Sequence, residues 1–427
     1  MPARPLPDRA ARPPMGWNSW DCFGTTVTED EVLANATFMS RHMLAHGWDT
    51  VVVDIQWYEP TARAHGYNAD APIVLDAYGR QLPAPGRFPS AAAGAGFRPL
   101  ADRVHALGLR FGVHIMRGVP RRAVAARLPV HGTPFTAADI ADTSSVCPWN
   151  SDNFGLDHDH PGAQAYYDAQ LAQFAAWGVD FVKADDMLFP YHEREISAYA
   201  QAIRACGRPI ELSLSPGTDV SVARLDHLRA HSTMWRLSDD LWDRWEDVEP
   251  QFARLARWAP FQGPAGWADA DMLPLGRVGI RAERGDDRLC RLTGPEQISL
   301  LTLWIIARSP LMMGGDLPTS PPATIALLTN DEALGVLWHS TDNREVLRER
   351  DTVWWTARDT DGRRRYAAVF SLAPGPRTVA TPLGSVNARP DDRITELWTG
   401  ADIPHDGTTL TTYLPTHGAA LYRFDAE

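Results

Sequence analysis

One short run of the chain brings together residue types that could do chemistry. Lys183, Asp185 and Asp186 end an apolar, strand-like segment, and Lys183 is the only lysine among 41 lysines and arginines. Side chains two positions apart on a strand project to the same face, so Lys183 and Asp185 should lie side by side. An ammonium with three rotatable donors beside a carboxylate suits a polyhydroxylated ligand held against a charged nucleophile. The alternative is that this lysine is a chance survivor of an arginine-rich composition.

A second pair of carboxylates, Asp239 and Asp240, follows the strand-like run Met234–Leu237. Asp185 and Asp240 would come from different strands and supply the two carboxylates that glycoside hydrolysis needs. In the retaining form of that reaction one carboxylate attacks the anomeric carbon while the other protonates the leaving oxygen. Asp186 or Asp240 could instead be an N-cap of a following helix.

Alternating strands and helices are expected to position these residues. The predicted strands are Pro14–Trp20, Thr50–Ile55, Leu109–Ile115, Val179–Ala184, Ile210–Ser215, Thr233–Leu237, Trp258–Gln262 and Ser309–Met313. Predicted helices between them are Glu29–Ala45, Gly162–Trp177, Glu193–Arg204, Val220–Ala230, Arg244–Ala256 and Glu296–Ala307. This alternation predicts a (β/α)8 barrel, in which catalytic residues lie at the C-terminal ends of the strands. The long segments Tyr58–Phe97 and Arg117–Asp157 follow strands and should therefore lie on that face.

The helical pattern ends near Val346. The runs Val353–Ala357, Tyr366–Ser371, Arg393–Trp398, Thr408–Tyr413 and Ala419–Phe424 predict short antiparallel strands. We therefore predict two domains, a catalytic barrel over residues 1–340 and an antiparallel β-sandwich domain over residues 341–427.

Composition limits the classes of partner. A net charge of −12 argues against nucleic acid or an anionic membrane surface as partner. The four cysteines lack paired spacing, the stretch Met1–Pro14 lacks the apolar segment of a signal peptide, and no apolar run could span a bilayer. These features predict a soluble, cytoplasmic protein that could form oligomers. Sixteen tryptophans, several in polar contexts, indicate weakly that the ligand is a sugar.

Six motifs follow one another at the predicted strand ends. They are Pro13–Trp20, Val53–Trp57, Val182–Asp185, Trp235–Asp240, Gly266–Leu273 and Arg308–Met312. In this order and spacing the chain resembles the melibiase-type α-galactosidases of glycoside hydrolase family 27, over residues 12 to about 425.

The resemblance implies a role for each matching residue. It makes Asp185 the nucleophile and Asp240 the general acid/base, and it places Lys183 and Arg236 on sugar hydroxyls. It also implies that Trp17 is a sugar platform, that Asp54 binds the far hydroxyls and that Asp271 lies near the subsite. We further predict, from residue type and position, that Trp57, His114 and Trp267 contact substrate, although His114 could equally be a buried core residue.

Three positions depart from the family pattern. Ile55 stands where the second Asp of the strand-2 motif is expected, Met187 replaces a Cys, and Leu214 aligns with a Glu that reads the 2-hydroxyl, with Glu211 nearby. Losing a charged acceptor from a hydroxyl costs about 1.5–3 kcal/mol. Either another residue supplies that contact, or the sugar lacks or re-orients the hydroxyl.

We therefore expect a retaining exo-glycosidase that acts on α-galactoside-like linkages in oligosaccharides or glycosides, without metal or organic cofactor. The alternatives are the same mechanism on a β-L-arabinopyranoside or α-glucoside, and a non-hydrolytic carbohydrate-binding barrel. The polar loop 150–160 also allows a metal-dependent barrel hydrolase, but it lacks the spacing of a calcium loop and leads into a helix at Pro161.

Overall fold

The computed structural model describes residues 11–426 of the chain. Residues 1–10, which hold most of the N-terminal stretch discussed above, and residue 427 lie outside this range. Within the described range no helix has both the length and the apolar character needed to cross a membrane.

Short strands, mostly buried, form the first part of the molecule. In chain order they are β1 (Met15–Asn18), β2 (Thr50–Val53), β3 (Arg110–Met116), β4 (Val119–Pro120), β5 (Ala141–Val146), β6 (Asn153–Leu156), β7 (Phe181–Asp185), β8 (Glu211–Leu214), β9 (Met234–Arg236), β10 (Trp267–Asp269), β11 (Arg277–Val278), β12 (Arg288–Leu289) and β13 (Leu311–Met313). Eight of them form one parallel sheet in the order β10-β9-β8-β7-β3-β2-β1-β13. A parallel bridge between Leu273 and Met313 joins its two ends. The predicted (β/α)8 barrel is confirmed.

Helices lie between these strands along the chain, and the longer ones cover the outside of the sheet. They are α1 (Trp20–Phe23), α2 (Glu29–His42), α3 (Arg98–Ala106), α4 (Arg121–Ala125), α5 (Ala137–Ile140), α6 (Pro161–Trp177), α7 (Glu193–Ala205), α8 (Leu225–His231), α9 (Trp245–Trp258), α10 (Gly294–Ile306), α11 (Pro322–Leu328) and α12 (Asp331–His339). Helix α2 begins at a capping box, in which the Glu31 carboxylate accepts from the backbone N and hydroxyl of Thr28, both at 2.9 Å. The first of these contacts satisfies a backbone donor that the helix N-terminus leaves open.

The predicted seventh strand, Trp258–Gln262, is wrong. Trp258 is the last residue of α9, and a 3-10 turn over Ala259–Phe261 follows it. The apolar run that suggested a strand continues the buried face of an amphipathic helix, which also carries Val248, Phe252 and Leu255. Short apolar runs do not distinguish strand from helix by periodicity. The seventh strand of the barrel is β10, which begins at Trp267.

The two long segments after β2 and β3 lie over the C-terminal ends of the strands, as predicted. The second of them contains the small sheet β4-β6-β5. The first is held down by Arg87, whose guanidinium donates to the backbone oxygens of Thr25, Val27 and Glu59 at 2.8–3.0 Å. Such contacts fix a long loop that would otherwise be mobile.

Antiparallel strands make up the C-terminal part. They are β14 (Ser340–Glu349), β15 (Thr352–Asp359), β16 (Arg364–Ser371), β17 (Arg377–Pro382), β18 (Asp392–Glu396), β19 (Thr409–Leu414) and β20 (Ala419–Ala426). A sheet of order β14-β15-β16-β20-β18 faces the pair β17-β19. Strands β14 and β17 escaped prediction because β14 is a charged edge strand with irregular register and β17 ends in a proline. The domain boundary at 340/341 stays a prediction.

Adjacent tryptophans on β15 show how this part attaches to the barrel. Trp354 points into the sandwich and donates to Thr381 at 2.9 Å, whereas Trp355 belongs to the core shared with the barrel. On the barrel side Phe370 packs edge-on against Phe252 of α9, with ring centroids 5.0 Å apart. One sheet is therefore buried on both faces, with alternate residues serving two cores.

Candidate active site

A cavity of about 390 Å³ opens at the C-terminal ends of the barrel strands, a size suited to a small ligand. Its lining includes Trp20, Asp54, Ile55, Tyr67, His114, Trp149, Lys183, Asp185, Phe189, Ser215, Arg236, Asp239, Asp240 and Glu283. Strands β2, β3, β7, β8 and β9 supply the inner residues from their ends, while loops supply the outer ones. Tyr67 comes from the long segment after β2, and Trp149 from the one after β3.

Asp54 and Lys183 form a buried ion pair at the inner end of this cavity. Lys183 Nζ lies 2.9 Å from Asp54 Oδ2, which also accepts from Asn18 Nδ2 at 2.8 Å. Burial alone would raise the pKa of Asp54, but His114 and Lys183 outweigh it and hold the pKa below its usual value. Burial likewise opposes the charge on Lys183, yet Asp54 raises the pKa of Lys183 above its usual value. The pair is therefore charged on both sides at neutral pH.

Asp185 is held by two neighbours. Ser215 Oγ donates to Asp185 Oδ1 at 2.9 Å, and His114 Nε2 lies 3.3 Å from Asp185 Oδ2. Burial would raise the pKa of Asp185, but His114, Lys183 and the Ser215 hydroxyl together lower it well below its ordinary value. An ionised, oriented carboxylate that lines a cavity has the character of a nucleophile.

Arg236 contacts two aspartates on another side of the cavity. Its guanidinium lies 3.1 Å from Asp240 Oδ1 and 2.7 Å from Asp271 Oδ1. Asp271 Oδ2 in turn accepts from the backbone N of Leu241 at 2.6 Å, which fixes the loop that carries Asp240. Asp240 keeps 29% of its side chain exposed, whereas Asp271 keeps 1%. A carboxyl group in contact with both the cavity and solvent can exchange protons with water.

Two family models match separate parts of this chain. Residues 153–338 match the family model described as alpha galactosidase A, and residues 349–424 match the alpha galactosidase C-terminal beta sandwich domain. A solved structure of a β-L-arabinopyranosidase of glycoside hydrolase family 27 from Geobacillus stearothermophilus, in complex with arabinose, is 44% identical. It superposes with a TM-score of 0.96, and the match covers 100% of both chains. The chain belongs to glycoside hydrolase family 27.

Two curated relatives of this family 27 chain are more distant. The α-galactosidase of Cyamopsis tetragonoloba is 26% identical over 76% of this chain, and the match spans 64% of that protein. The α-N-acetylgalactosaminidase of Gallus gallus is 29% identical over 75% of this chain and 69% of its own length. The names of these relatives thus span different sugars.

Three tryptophans of the family 27 chain do not lie where we expected. Trp17, Trp57 and Trp267 are completely buried, and the aromatic residues that line the cavity include Trp20, Tyr67, Trp149 and Phe189 instead. Trp17 Nε1 donates to Gly315 O at 3.0 Å, Trp57 Nε1 donates to His114 O at 2.6 Å, and Trp267 packs under Arg308 at 4.8 Å. These indoles support the backbone that carries the site, so their predicted contact with a sugar is wrong.

The other predicted residues come together. Asp54, His114, Lys183, Asp185, Arg236 and Asp240 all line the cavity, and Asp271 lies behind Arg236. Arg236 contacts Asp240, whereas Asp239 is exposed and accepts from the backbone N of Asp240 at 2.9 Å. The adjacent Asp186 turns away to pair with Arg117 at 2.8 Å, and burial raises the pKa of Asp186 to about 7 although Arg117 opposes the rise.

Of the three departures from the family pattern, one lines the cavity and two do not. Ile55 lines the cavity beside Asp54, whereas Met187 and Leu214 are fully buried. Ser213 faces the barrel interior, so Leu214 points to the outer face of β8, and the next residue, Ser215, reaches Asp185. Glu211 is also buried and pairs with Arg110 at 2.9 Å. Ser215, rather than Leu214 or Glu211, therefore occupies the cavity at this strand end.

The oxygen-rich loop 150–160 makes turn and capping contacts. Asp152 accepts from the Tyr58 hydroxyl and from Gln56 Nε2, both at 2.7 Å. His160 Nδ1 accepts from Gly162 N at 3.1 Å and so caps α6. These contacts explain the composition of the loop in structural terms.

Proposed function

We propose that this protein is a retaining exo-glycosidase in which Asp185 is the nucleophile and Asp240 the general acid/base. The depressed pKa of Asp185 supports the first role, because a nucleophilic carboxylate must be ionised. The position of Asp240, partly exposed and oriented by Arg236, supports the second. The buried Asp54–Lys183 pair at the inner end of the cavity supports exo action, since it leaves room for a terminal sugar and no chain beyond it.

The reaction would proceed in two displacements. Asp185 attacks the anomeric carbon and forms a glycosyl ester, while Asp240 gives its proton to the glycosidic oxygen as that bond breaks. Asp240 then takes a proton from water, whose oxygen attacks the anomeric carbon and releases Asp185. Lys183 and Asp54 would bind hydroxyls on the far side of the ring. The proposed reaction needs neither metal nor organic cofactor.

We propose a β-L-arabinopyranoside as the substrate, and Ile55 is the observation that carries this choice. A β-L-arabinopyranosyl unit has the ring substituents of an α-D-galactosyl unit except that the C6 hydroxymethyl group is missing. A hydroxymethyl group placed against Ile55 would lose a hydrogen-bond partner, which costs about 1–3 kcal/mol. A pentopyranose avoids that loss because it presents only a ring methylene there. The 44% identity to a β-L-arabinopyranosidase supports the same choice.

A panel of aryl glycosides tests this specificity. We expect kcat/KM for the β-L-arabinopyranoside to exceed that for the α-D-galactopyranoside by about tenfold or more, which corresponds to the cost of an unpaired hydroxyl. Ile55→Asp should shift the ratio toward the galactoside, while Ile55→Leu, which keeps an apolar side chain, should preserve the preference. Thermal unfolding of both variants controls for misfolding.

Two outcomes would contradict the proposal at different levels. A wild-type preference for the α-D-galactoside or an α-glucoside would reject the pentose but keep the mechanism. Binding of arabinose without turnover of any glycoside would reject hydrolysis itself and favour a carbohydrate-binding barrel.

A further inference from the structure

We propose, on the basis of the glycosidase activity proposed above, that Arg117 is a positioning residue for the nucleophile. It fixes the backbone that carries Asp185 and so determines where the oxygens of the Asp185 carboxylate lie. Arg117 is not among the residues that line the cavity. It therefore acts on the reaction through Asp185 and Asp186 and not through contact with the sugar.

Arg117 is held against the end of β7 by its backbone and by its side chain. It follows directly after β3, which pairs with β7 as far as Met116 and Asp185. Arg117 N donates to Asp185 O at 3.2 Å, and Arg117 Nε donates to Asp186 O at 2.9 Å. Arg117 Nη2 also lies 2.8 Å from Asp186 Oδ2. One arginine thus contacts the carbonyl of the nucleophile and both the carbonyl and the carboxylate of the next residue.

The backbone conformation of Asp186 explains why this support is needed. Its φ of 58° lies in the left-handed region, which residues other than glycine adopt at a cost in free energy. Such a conformation persists where the contacts around it favour it, and Arg117 supplies two of those contacts. Without them the turn after Asp185 would relax toward a commoner conformation. The Asp185 carboxylate would then move relative to Ser215 and His114.

Neighbours on the side away from the cavity fix the guanidinium in turn. Arg117 Nη1 donates to Ser145 Oγ at 3.0 Å and lies 3.6 Å from Glu195 Oε1. Glu195 is itself buried and lies 2.9 Å from His158 Nε2. Because Arg117 is buried as well, a different rotamer would separate charges that are out of contact with water. The guanidinium is therefore a fixed support for the turn.

The chain leaves space for this guanidinium at Gly155. A Cβ at position 155 would lie 2.7 Å from Arg117 Nη1 and 2.5 Å from Ser145 Oγ. Both distances are too short for a carbon atom, so an alanine would displace the guanidinium. The φ of Gly155 lies outside the left-handed region, so the backbone there accepts an alanine. Gly155→Ala therefore moves Arg117 without removing it.

Arg110 offers a matched control at the other end of the same strand. It begins β3 and pairs with the buried Glu211 at 2.9 Å. Loss of either guanidinium breaks a buried ion pair and should lower the melting temperature. Of the two arginines, however, Arg117 is the one that contacts the backbone of Asp185 and Asp186.

Steady-state kinetics and sugar binding test the assignment. The substrate is the aryl glycoside that the wild type cleaves fastest, and calorimetry measures the affinity for the free sugar that it releases. We expect Arg117→Met to lower kcat by about 30- to 100-fold, because a displaced nucleophile forms the new bond more slowly. The dissociation constant of the sugar should change by less than about threefold, because the Asp54–Lys183 pair keeps its contacts.

The two other variants complete the comparison. Gly155→Ala should lower kcat by about tenfold, again with little change in sugar affinity. Arg110→Met should change kcat by less than about threefold although its melting temperature falls. A role of Arg117 in stability alone would move the melting temperature and leave kcat as it is in Arg110→Met.

The outcomes separate this assignment from the proposed function. Equal kcat for Arg117→Met and Arg110→Met overturns it, and so does a loss of sugar affinity as large as the loss of kcat. If Arg117→Met does not fold, wild-type kcat in Gly155→Ala overturns it instead. Each of these results leaves the glycosidase standing, because the wild type is active. Failure of the wild type to cleave any glycoside of the panel overturns both.

Discussion

The cavity has an inner wall, formed by Asp54, Lys183 and Asp185, and an outer wall, which includes Phe189, Asp239 and Asp240, and the two are built in different ways. The inner wall consists of buried charges fixed by one another, with Lys183 13% and Asp54 1% exposed. The outer wall consists of side chains on loops, of which Phe189 is 60% exposed. Buried polar groups must all be satisfied, so a change of ligand there leaves an orphaned donor or acceptor. The inner wall can therefore discriminate strictly between sugars, whereas the outer wall can adapt to different leaving groups.

Substitution of Asp185, the proposed nucleophile, should have the largest effect. Asp185→Asn removes the attacking oxygen anion but preserves the shape of the inner wall, so kcat should fall by about 10⁴-fold or more. Activity with aryl glycosides measures the loss, and circular dichroism checks the fold. Activity close to that of the wild type would mean that another group attacks the anomeric carbon.

The adjacent carboxylates of the outer wall form a matched pair. Asp240→Asn should lower kcat/KM by about 10²–10⁴-fold on a substrate with a poor leaving group, since proton donation is lost. The loss should be much smaller on a glycosyl fluoride, which needs little protonation. Asp239→Asn is the comparison and should lower kcat/KM by less than about tenfold on the same substrate, because Asp239 lines the cavity but accepts from the backbone N of Asp240, whereas Arg236 orients Asp240. Equal effects of the two changes would refute the assignment of Asp240.

Lys183→Arg tests how strictly the inner wall depends on shape. The charge is kept, but a planar guanidinium must enter a space that holds a compact ammonium 2.9 Å from Asp54. We expect kcat/KM to fall by about 100-fold, because small misplacements of a buried ion pair misorient the sugar. Arg110→Lys changes the buried pair with Glu211, away from the cavity, and should affect activity far less. Full activity of Lys183→Arg would show that only the charge matters.

His114→Gln should have the smallest effect of these changes, and it is best seen as a shift in pH dependence. His114 lowers the pKa of Asp185, so the wild type should stay active as the pH falls through the ordinary range of aspartate. Without His114 the pKa of Asp185 rises, and the acid limb of kcat/KM should move upward by about one pH unit. An unchanged acid limb would mean that Lys183 and Ser215 suffice to keep Asp185 ionised.

The sequence predicted the inner wall better than the outer one. Lys183 and Asp185 share a face because strands have a period of two, and the family resemblance pointed to Asp240, which contacts Arg236. Trp17, Trp57 and Trp267 misled because tryptophans among polar residues in the sequence can still be buried by distant parts of the chain. Ser215 was missed because a serine before a proline at a strand end carries no chemical signal in the sequence, and its role follows from its contact with Asp185.

Phe189 shows more generally why the loop residues of the cavity could not be predicted from the sequence. In the sequence it is an apolar residue before a proline, like many others in this chain. Its exposure depends on the turn held by Tyr191, His227 and Arg224, and the contacts between these residues are not visible in the sequence. Loop-borne features of this kind follow from tertiary contacts, whereas strand-borne features follow from local periodicity.

The adjacent tryptophans of β15 have a consequence for engineering of the chain. Because Trp354 and Trp355 pack in different cores, we expect that replacing the C-terminal part alone with that of another protein would destabilise the barrel. Removal of the C-terminal part would expose Phe252 and the apolar helix α10 to solvent and leave an aggregation-prone apolar surface on the barrel. Chimeras cut at this seam should therefore take the barrel and the C-terminal sheets from a single parent.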